Sequence, residues 1–275
     1  MKSLKGSRRK RLFNPIKDQS SAFTLVELLV VVAVLALLAS IVFSNLTGAR
    51  EQAKISNALS FQSNMHNLLG ADLVGWWNFD DEDNRYKDLS GYGNNGSCTS
   101  CPTLVDGVPG TSGKAMSFNR SQDGIRLTNG ILEGSDSFTV SAWIKPHSVN
   151  SYLFIFDQYE SGDSGRFHFS VSDGKLSNRI GDVLRSGQEV ELDIFSHVAL
   201  SRDLGGSIRF FLNGEMVMSG SNSTEILKTV AWIGGHGSSY RFNGDIGDIR
   251  LYSRALTAFE IKALYAQGSF DYTKN

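Results

Sequence analysis

The chain of 275 residues carries 27 Lys and Arg against 28 Asp and Glu, with four prolines, 28 glycines and two cysteines. Its length exceeds that of one small domain, and it holds neither an internal repeat nor a low-complexity tract. The near-zero net charge conceals a split: residues 1–22 hold seven basic side chains and one acid, leaving 20 basic against 27 acidic residues, about −7, a balance unsuited to nucleic acid.

Residues 23–43, FTLVELLVVVAVLALLASIVF, form one apolar run in which only Ser40 is polar between Leu28 and Phe43. That length is close to the ~20 residues a helix needs to cross a bilayer core. The preceding basic residues hold the N-terminus in the cytoplasm and send the rest of the chain outward. Glu27 sits near the N-terminal edge of the run, where a charge without a partner is costly in hydrocarbon. A secretory signal has a shorter apolar core followed by a small-x-small cleavage site; here the small residue, Ala22, precedes the run.

Ala22-Phe23-Thr24-Leu25-Val26-Glu27-Leu28-Leu29 resembles the processing site of type IV prepilins and pseudopilins. The resemblance implies that a prepilin peptidase removes residues 1–22 as a basic leader and N-methylates Phe23. Glu27 then becomes the fifth mature residue. Ala22 departs from the glycine usual at that position, but it is small. An α-amine is cationic near neutral pH, so Glu27 of one subunit is expected to pair with Phe23 of its neighbour and set the register of packed helices in a filament. Residues 44–71 are rich in helix formers, with apolar side chains loosely at i, i+3, i+4 spacing and Gly70 as a stop. Together with 23–43 they are expected to make one pilin-like helix over 23–71, half in the membrane and half carrying a head.

From Leu73 the texture becomes that of strands. Short apolar or alternating runs recur at 73–79, 114–118, 124–127, 138–144, 152–156, 167–171, 190–201, 208–212, 231–233 and 245–252. Turn signals separate them, among them Asp106-Gly107, Asp173-Gly174 and Asn213-Gly214, pairs that accept positive φ. About ten to fourteen strands without intervening helices predict an all-β sandwich. In 138–145 the set Phe138, Val140, Ala142 and Ile144 alternates with Thr139, Ser141, Trp143 and Lys145, which places one face on a core. Thr257 and Glu260 form a capping box for a short closing helix.

The ordered segments GWWNFD (75–80), DLSGYGNNG (88–96), GKAMSF (113–118), FTVSAWIKP (138–146), HVAL (197–200), FLNG (211–214), IGG (233–235) and FNGDIGDIRLYSRAL (242–256) resemble the laminin-G-like, concanavalin A-like jelly-roll family. The full expectation is a long N-terminal transmembrane α-helix, then an all-β jelly-roll sandwich over 73–268 with a short C-terminal helix, then a tail over 269–275.

Some members of that family hold a structural calcium, and the resemblance places Asp80, Asp88 and Asp248 at such a site, although Gly247 stands where many relatives carry an acid. Related folds include glycoside hydrolases with two carboxylates flanking the sugar. Glu189, Glu191 and Asp193 alternate as if on one strand face, but their order departs from that of the enzymes, and no catalytic residue is assigned. Cys98 and Cys101 lack the further ligands of a zinc site; outside the membrane they are expected to form a disulfide closing a small loop. Trp76, Trp77, Trp143 and Trp232 are read chiefly as core, with one of the adjacent Trp76 and Trp77 exposed; His147, Tyr159, His236 and Tyr240 lie in loops that can line a rim. The leading reading is a single-pass inner-membrane pilin or pseudopilin subunit, displayed in a surface filament, whose head binds glycan or protein. A purely structural head and a tethered glycoside hydrolase are the alternatives.

Overall fold

The computed structural model describes residues 24–40, 69–107, 113–120, 124–149, 152–159, 165–236 and 240–269. The leader, Ala22, Phe23 and nearly all of the helix expected over 44–71 lie outside these residues. The chain divides into two compact units, 1–58 and 59–275.

In the first unit a helix, α1, covers residues 25–40. Its Leu and Val side chains are exposed around the whole circumference, from Leu25 to Leu38. Among the described residues no helix is long and apolar enough to cross a membrane; positions 23 and 41–43 of the apolar run lie outside them.

The second unit is a sandwich of two antiparallel sheets. The first sheet takes β1 (Leu73–Trp77), β3 (Thr103–Asp106), β4 (Lys114–Asn119), β6 (Phe138–Pro146), β11 (Ser196–Arg202), β12 (Ser207–Leu212), β13 (Glu215–Ser221) and β15 (Asn243–Tyr252). The second takes β2 (Gly96–Ser97), β5 (Ile125–Leu127), β7 (Leu153–Gln158), β8 (Phe167–Ser172), β9 (Lys175–Ile180), β10 (Asp182–Glu189) and β14 (Ala231–Ile233). Their spatial orders are β13-β12-β11-β6-β15-β4-β3, with β1 also on β15, and β10-β9-β8-β7-β14-β5-β2.

The period-two pattern decides what lies between the sheets. Phe138, Val140, Ala142 and Ile144 point inward, against Phe156, Phe167, Phe169 and Val171 of the second sheet. Trp77 is fully buried in the same core, while Trp76, one residue back, faces the other way and is half-buried. Full burial of each large apolar side chain contributes on the order of 2–3 kcal/mol. The turns follow their residues: Asp173-Gly174 between β8 and β9 and Asn213-Gly214 between β12 and β13 all have positive φ, at 51°, 78°, 51° and 80°.

The strand expected over 190–201 begins only at Ser196. Asp193 has a φ of 58°, and the amides of Val190 and Asp193 bond to the carbonyls of Gly174 and Pro146, which turns the chain out of the ladder. Glu189, Glu191 and Asp193 therefore do not share a strand face: Glu189 ends β10 and the other two occupy the turn. The polar strands β9 and β10, and the short edge strands β2 and β3, were not visible as apolar runs.

The second helix, α2 (Ala258–Ser269), covers the outer face of the first sheet. Ile261 and Leu264 pack with Ala199, Phe211, Tyr252 and Leu256, and with Leu69 and Leu73 at the entry to the sandwich. Tyr265 stacks on Trp143 at 5.7 Å. The capping box is formed: Glu260 Oε2 accepts from the Thr257 amide (2.8 Å) and hydroxyl (2.9 Å). The Arg254 guanidinium bonds both oxygens of Glu260 (3.0 and 2.8 Å) and, through Nε, Asp72 Oδ2 (2.6 Å). One arginine thus ties the start of β1 to the start of α2.

The bonds from Arg254, opposed by burial and helped by Thr257, hold the Glu260 carboxyl at about 2 against an ordinary 4.5. Its stabilising contribution is therefore complete above pH 4.5 and is lost as pH falls toward 2. Glu260→Ala is expected to cost about 2 kcal/mol at pH 7 by removing both cap and ion pair. Thermal melts of wild type and variant should converge as pH falls from 4.5 toward 2.

Candidate functional site

At the N-terminal end, Ala22 and Phe23 lie outside the described residues, whereas Glu27 is seen on the first turn of α1. Its Oε2 accepts from the Thr24 amide (2.9 Å) and hydroxyl (2.8 Å), and the Thr24 Oγ1 in turn lies 3.3 Å from the Glu27 amide as its acceptor. This is a reciprocal capping box, T-x-x-E, that satisfies amides a helix N-terminus leaves open. The spacing was present in the sequence but was read for charge rather than for capping.

The three carboxylates expected at calcium are each engaged by protein donors. Asp88 accepts the amides of Trp76 (3.0 Å), Ser90 (2.9 Å) and Asn94 (2.9 Å). Asp80 accepts from the Lys114 amide (3.1 Å) and the Asn78 side chain (3.0 Å). Asp248 accepts from Trp76 Nε1 (2.7 Å) and is paired with Arg250 (2.9 Å). Among the described residues no three His, Cys, Asp or Glu side chains form a metal-holding group. Carboxylates occupied by backbone amides and a guanidinium do not fit a calcium cage, which needs six to eight oxygens free to coordinate. Cys98 and Cys101 are joined as a disulfide, with Cα atoms 5.1 Å apart, on the loop from β2 to β3.

Of the expected rim residues, His147 stands apart from the others, bonded to Asp193 (2.7 Å) and close to Asp245 (3.5 Å). Tyr159, His236 and Tyr240 come together on the outer face of the second sheet, and that face carries the most developed site among the described residues.

Its strands alternate cleanly. In β8, Phe167, Phe169 and Val171 enter the core, so His168 and Ser170 face outward. His168 lies beside Asp157 of β7 and Arg179 of β9, and Arg179 beside Val183 of β10. A bulge around Ile155 keeps Phe154 on this outer face. The His168 ring stacks on Phe154 at 4.4 Å, and Tyr240 stacks on Phe154 at 5.3 Å. Tyr152 meets His168 and Tyr240 edge-on, its hydroxyl accepting from Arg185 (2.6 Å). Beside them Tyr159 stacks on His236 at 4.2 Å, and His236 bonds to the buried Asp157. The Arg166 guanidinium sits 4.7 Å from the Tyr159 ring and 5.7 Å from that of Phe154. Of these, Tyr152, Phe154, Arg166, His168, Arg179, Val183 and Tyr240 line an open hollow of about 110 Å³.

His168 forms part of its lining. It is 3% exposed, and neither ring nitrogen has a hydrogen-bond partner. Burial, with the charges of Arg166, Arg179 and His236, pushes its pKa down to about 3, so the ring is neutral at any physiological pH. A neutral imidazole has one donor and one acceptor. An aromatic-walled hollow with an unpaired donor and acceptor at its base is chemically suited to a polyhydroxylated ring, whose C–H face stacks on rings and whose hydroxyls both give and take hydrogen bonds. Phe154, Arg166, His168 and Arg179 were not singled out from sequence; the signal was the polar half of the alternation in FHFSVS (167–172).

Residues 119–262 match the family model of the concanavalin A-like lectin/glucanases superfamily, which covers over half of the chain. The chain belongs to that superfamily. Residues 17–43 match the prokaryotic N-terminal methylation motif, so a methylation segment and a lectin-like domain are joined in one chain. No curated protein matches it. Among solved structures it is similar to domain 4 of AbnA, a GH43 extracellular arabinanase from Geobacillus stearothermophilus, solved with arabinotriose: 24% identity, TM-score 0.59, covering 70% of this chain and 98% of that one. The binding domain of Paraclostridial Mosquitocidal Protein 1 (19%, TM-score 0.56) and that of botulinum neurotoxin serotype D (16%, TM-score 0.54) cover 72% and 74% of this chain. The chain spans about half, 52%, of each of those two domains. At these identities the likeness is one of fold.

A second histidine shares the low pKa of His168. His197, 2% exposed beneath Trp143, is also pushed down to about 3 by burial, with Asp248 opposing and Arg250 assisting. Both rings are neutral when folded and ordinary when unfolded. Between pH 6.5 and about 3 the unfolded chain binds more protons, so their contribution is complete above 6.5 and stability falls as pH drops through that window. We expect the ring C–H resonances of His168 and His197 to stay fixed from pH 8 to 5 in NMR titration, while the melting temperature falls over pH 6.5 to 4.5. A midpoint near 6.5 for either ring would contradict its burial.

Proposed function

We propose that this protein is a membrane-anchored, pilin-like subunit whose sandwich head binds glycan outside the cell. The observation that carries the reading is the union, in one chain, of an N-terminal methylation motif and a lectin-type sandwich with an aromatic hollow on one outer face. In this reading prepilin peptidase cleaves after Ala22 and methylates Phe23, and residues 23–43 span the inner membrane with the leader in the cytoplasm. The mature helix then packs against other pilin or pseudopilin subunits in a filament of the pilus or secretion type. The arabinotriose complex of the arabinanase domain, and the interaction with two gangliosides that is described for botulinum neurotoxin type C, support a sugar as the ligand. In this reading the head acts by binding, in keeping with the binding domains of Paraclostridial Mosquitocidal Protein 1 and botulinum neurotoxin serotype D that share its fold.

The glycan reading is tested with the full-length protein in detergent on a broad oligosaccharide array. Binding is expected, and Tyr240→Ala should weaken it about tenfold, because Tyr240 lines the hollow and is 42% exposed, while the loss of its stacking on Phe154 should lower the melting temperature only slightly. Absence of binding to every member would leave the head a structural part of the assembly.

The helix end is tested by mass and by two substitutions. Intact mass should show loss of residues 1–22 and one added methyl on Phe23. Glu27→Ala removes both the capping carboxylate and the charge, whereas Glu27→Gln keeps a capping-box acceptor and removes only the charge. If pairing with a neighbour's Phe23 amine drives assembly, both variants should lower the ratio of filament-associated to membrane-extracted protein. Recovery of that ratio by Gln alone would assign Glu27 to helix capping and set the pairing aside.

A further inference from the structure

Resting on the glycan reading of the hollow, we infer that the site continues across the second sheet to Trp232, so that its ligand is a glycan chain of two or more units rather than a single sugar, with Trp232 as a second stacking platform.

Three observations carry it. The first is where Trp232 points. In β14, Ala231 and Ile233 enter the core, so the residue between them projects from the outer face, where it is half-buried. Trp232, expected chiefly as core, thus stands on the same face as the hollow. The strand register pairs His168 of β8 with Asp157 of β7, and Asp157 with Trp232 of β14, which sets the indole in one row with the base of the hollow. Neighbouring strands lie roughly 4.8 Å apart, so two spacings, about 10 Å, separate His168 from Trp232. A ring seated in the hollow does not reach that far; the next units of the same chain do.

The second is the state of the indole. Among the described residues no ring stacks on Trp232, no cation lies over it, and its Nε1 donates to no acceptor. The other three tryptophans each have at least one such partner: Arg250 lies over Trp76, the Nε1 of Trp77 donates to the Asn94 carbonyl, and Tyr265 stacks on Trp143. An indole offers a broad apolar face with a donor at one edge. That pairing suits a sugar, whose C–H face lies on the ring plane and whose hydroxyls accept at the edge.

The third is what lies along the row. Both ring nitrogens of His168 and the Oδ1 of Asp157 are buried without a hydrogen-bond partner. His236 is bonded to Asp157 through Nδ1 and stacked on Tyr159, which leaves its Nε2 as the ring nitrogen with no partner among the described residues. Polar atoms left open by the protein therefore run on past the hollow, and a lone surface aromatic would not be accompanied by them. The hollow, at about 110 Å³, is also small against the roughly 300–1,000 Å³ of a pocket that encloses its ligand. It has room for one unit, with the rest of a chain outside it. A chain laid across the strands uses His168 first, then His236, then the indole.

The test measures binding of the full-length protein in detergent micelles to arabino-, xylo-, gluco-, manno- and galacto-oligosaccharides, each as a length series from the monosaccharide upward. In a series that binds, affinity is expected to rise about tenfold or more between one unit and three, and to level off beyond the unit that reaches Trp232. Trp232→Ala should remove that gain and leave monosaccharide binding unchanged, while Trp232→Phe, which keeps a ring, should retain part of it. A readout on the unaltered protein stands beside the variants. The indole N–H resonance of Trp232, assigned by its loss in Trp232→Phe, should move on titration with the trisaccharide and stay fixed with the monosaccharide. A length gain that survives in folded Trp232→Ala, or an indole resonance that the trisaccharide does not move, overturns the extension. Equal binding at every length does the same and leaves the glycan reading of the hollow in place. No binding to any member of any series overturns both readings.

Discussion

The head is organised by β15. This strand pairs with β6 along much of its length, with β4 over its first four residues and with β1 over its last four. Where β4 gives way to β1 on one edge, the ladder to β6 on the other is irregular between Gly247 and Arg250, and Asp248 adopts a φ of 45°. A left-handed residue with a side chain is tolerated at modest cost where local bonds hold it. Here Asp248 holds Trp76 and Arg250, so the irregularity that lets β1 join the sheet also binds β1 to it. Asp88 and Asp248, two of the acids that suggest metal ligands in a linear reading, are fasteners of this joint.

The two outer faces of the sandwich show what becomes of a polar group placed on a buried strand. His197 and His168 are both nearly inaccessible and both neutral. His197 lies beneath Trp143 and Tyr265, and its Nε2 meets the Ser141 hydroxyl at 3.3 Å. The face around it is closed by α2. His168 lies beneath rings too, but among the described residues no helix covers them, and neither of its nitrogens has a hydrogen-bond partner. The same residue type in the same kind of strand position has one partnered nitrogen on the covered sheet and none on the uncovered one. Burial alone does not separate these cases; the partner inventory does.

The sequence carried the architecture where a pattern is local. The alternation in 138–145, the Asp173-Gly174 and Asn213-Gly214 turns and the Thr257–Glu260 box are each decided within a few residues, and each appears as read; Asp106-Gly107 does not, since Asp106 closes β3 and neither residue has a positive φ. What escaped is what depends on neighbours across the sheet. Strands β9 and β10 are polar on their outer side and interrupted by Gly181, so they present no apolar run. Arg179 consequently carried no signal, since its meaning comes from lying opposite His168. The alternation of Glu189, Glu191 and Asp193 promised a shared face, but a left-handed Asp193 and two loop hydrogen bonds ended the strand first. Carboxylates were the hardest to place, because a solvent-facing acid, a loop cap and a metal ligand look alike until their donors are known.

Within the head, the hollow and the first described residues of the second unit lie on opposite faces of the sandwich. Leu69 and Leu73 lead into the sandwich on the outer side of the first sheet, packed with Leu256, Ile261 and Leu264. Arg254 anchors the same corner through Asp72 and Glu260. The hollow opens on the outer face of the second sheet, across the full thickness of the core. Two packed sheets put roughly 10 Å of side chains between their backbones, so Leu69, Leu73 and α2 lie across the core from the hollow. One asymmetry among the described residues separates them: a helix follows β15 and covers the first sheet, while the outer side of the second carries rings and guanidiniums.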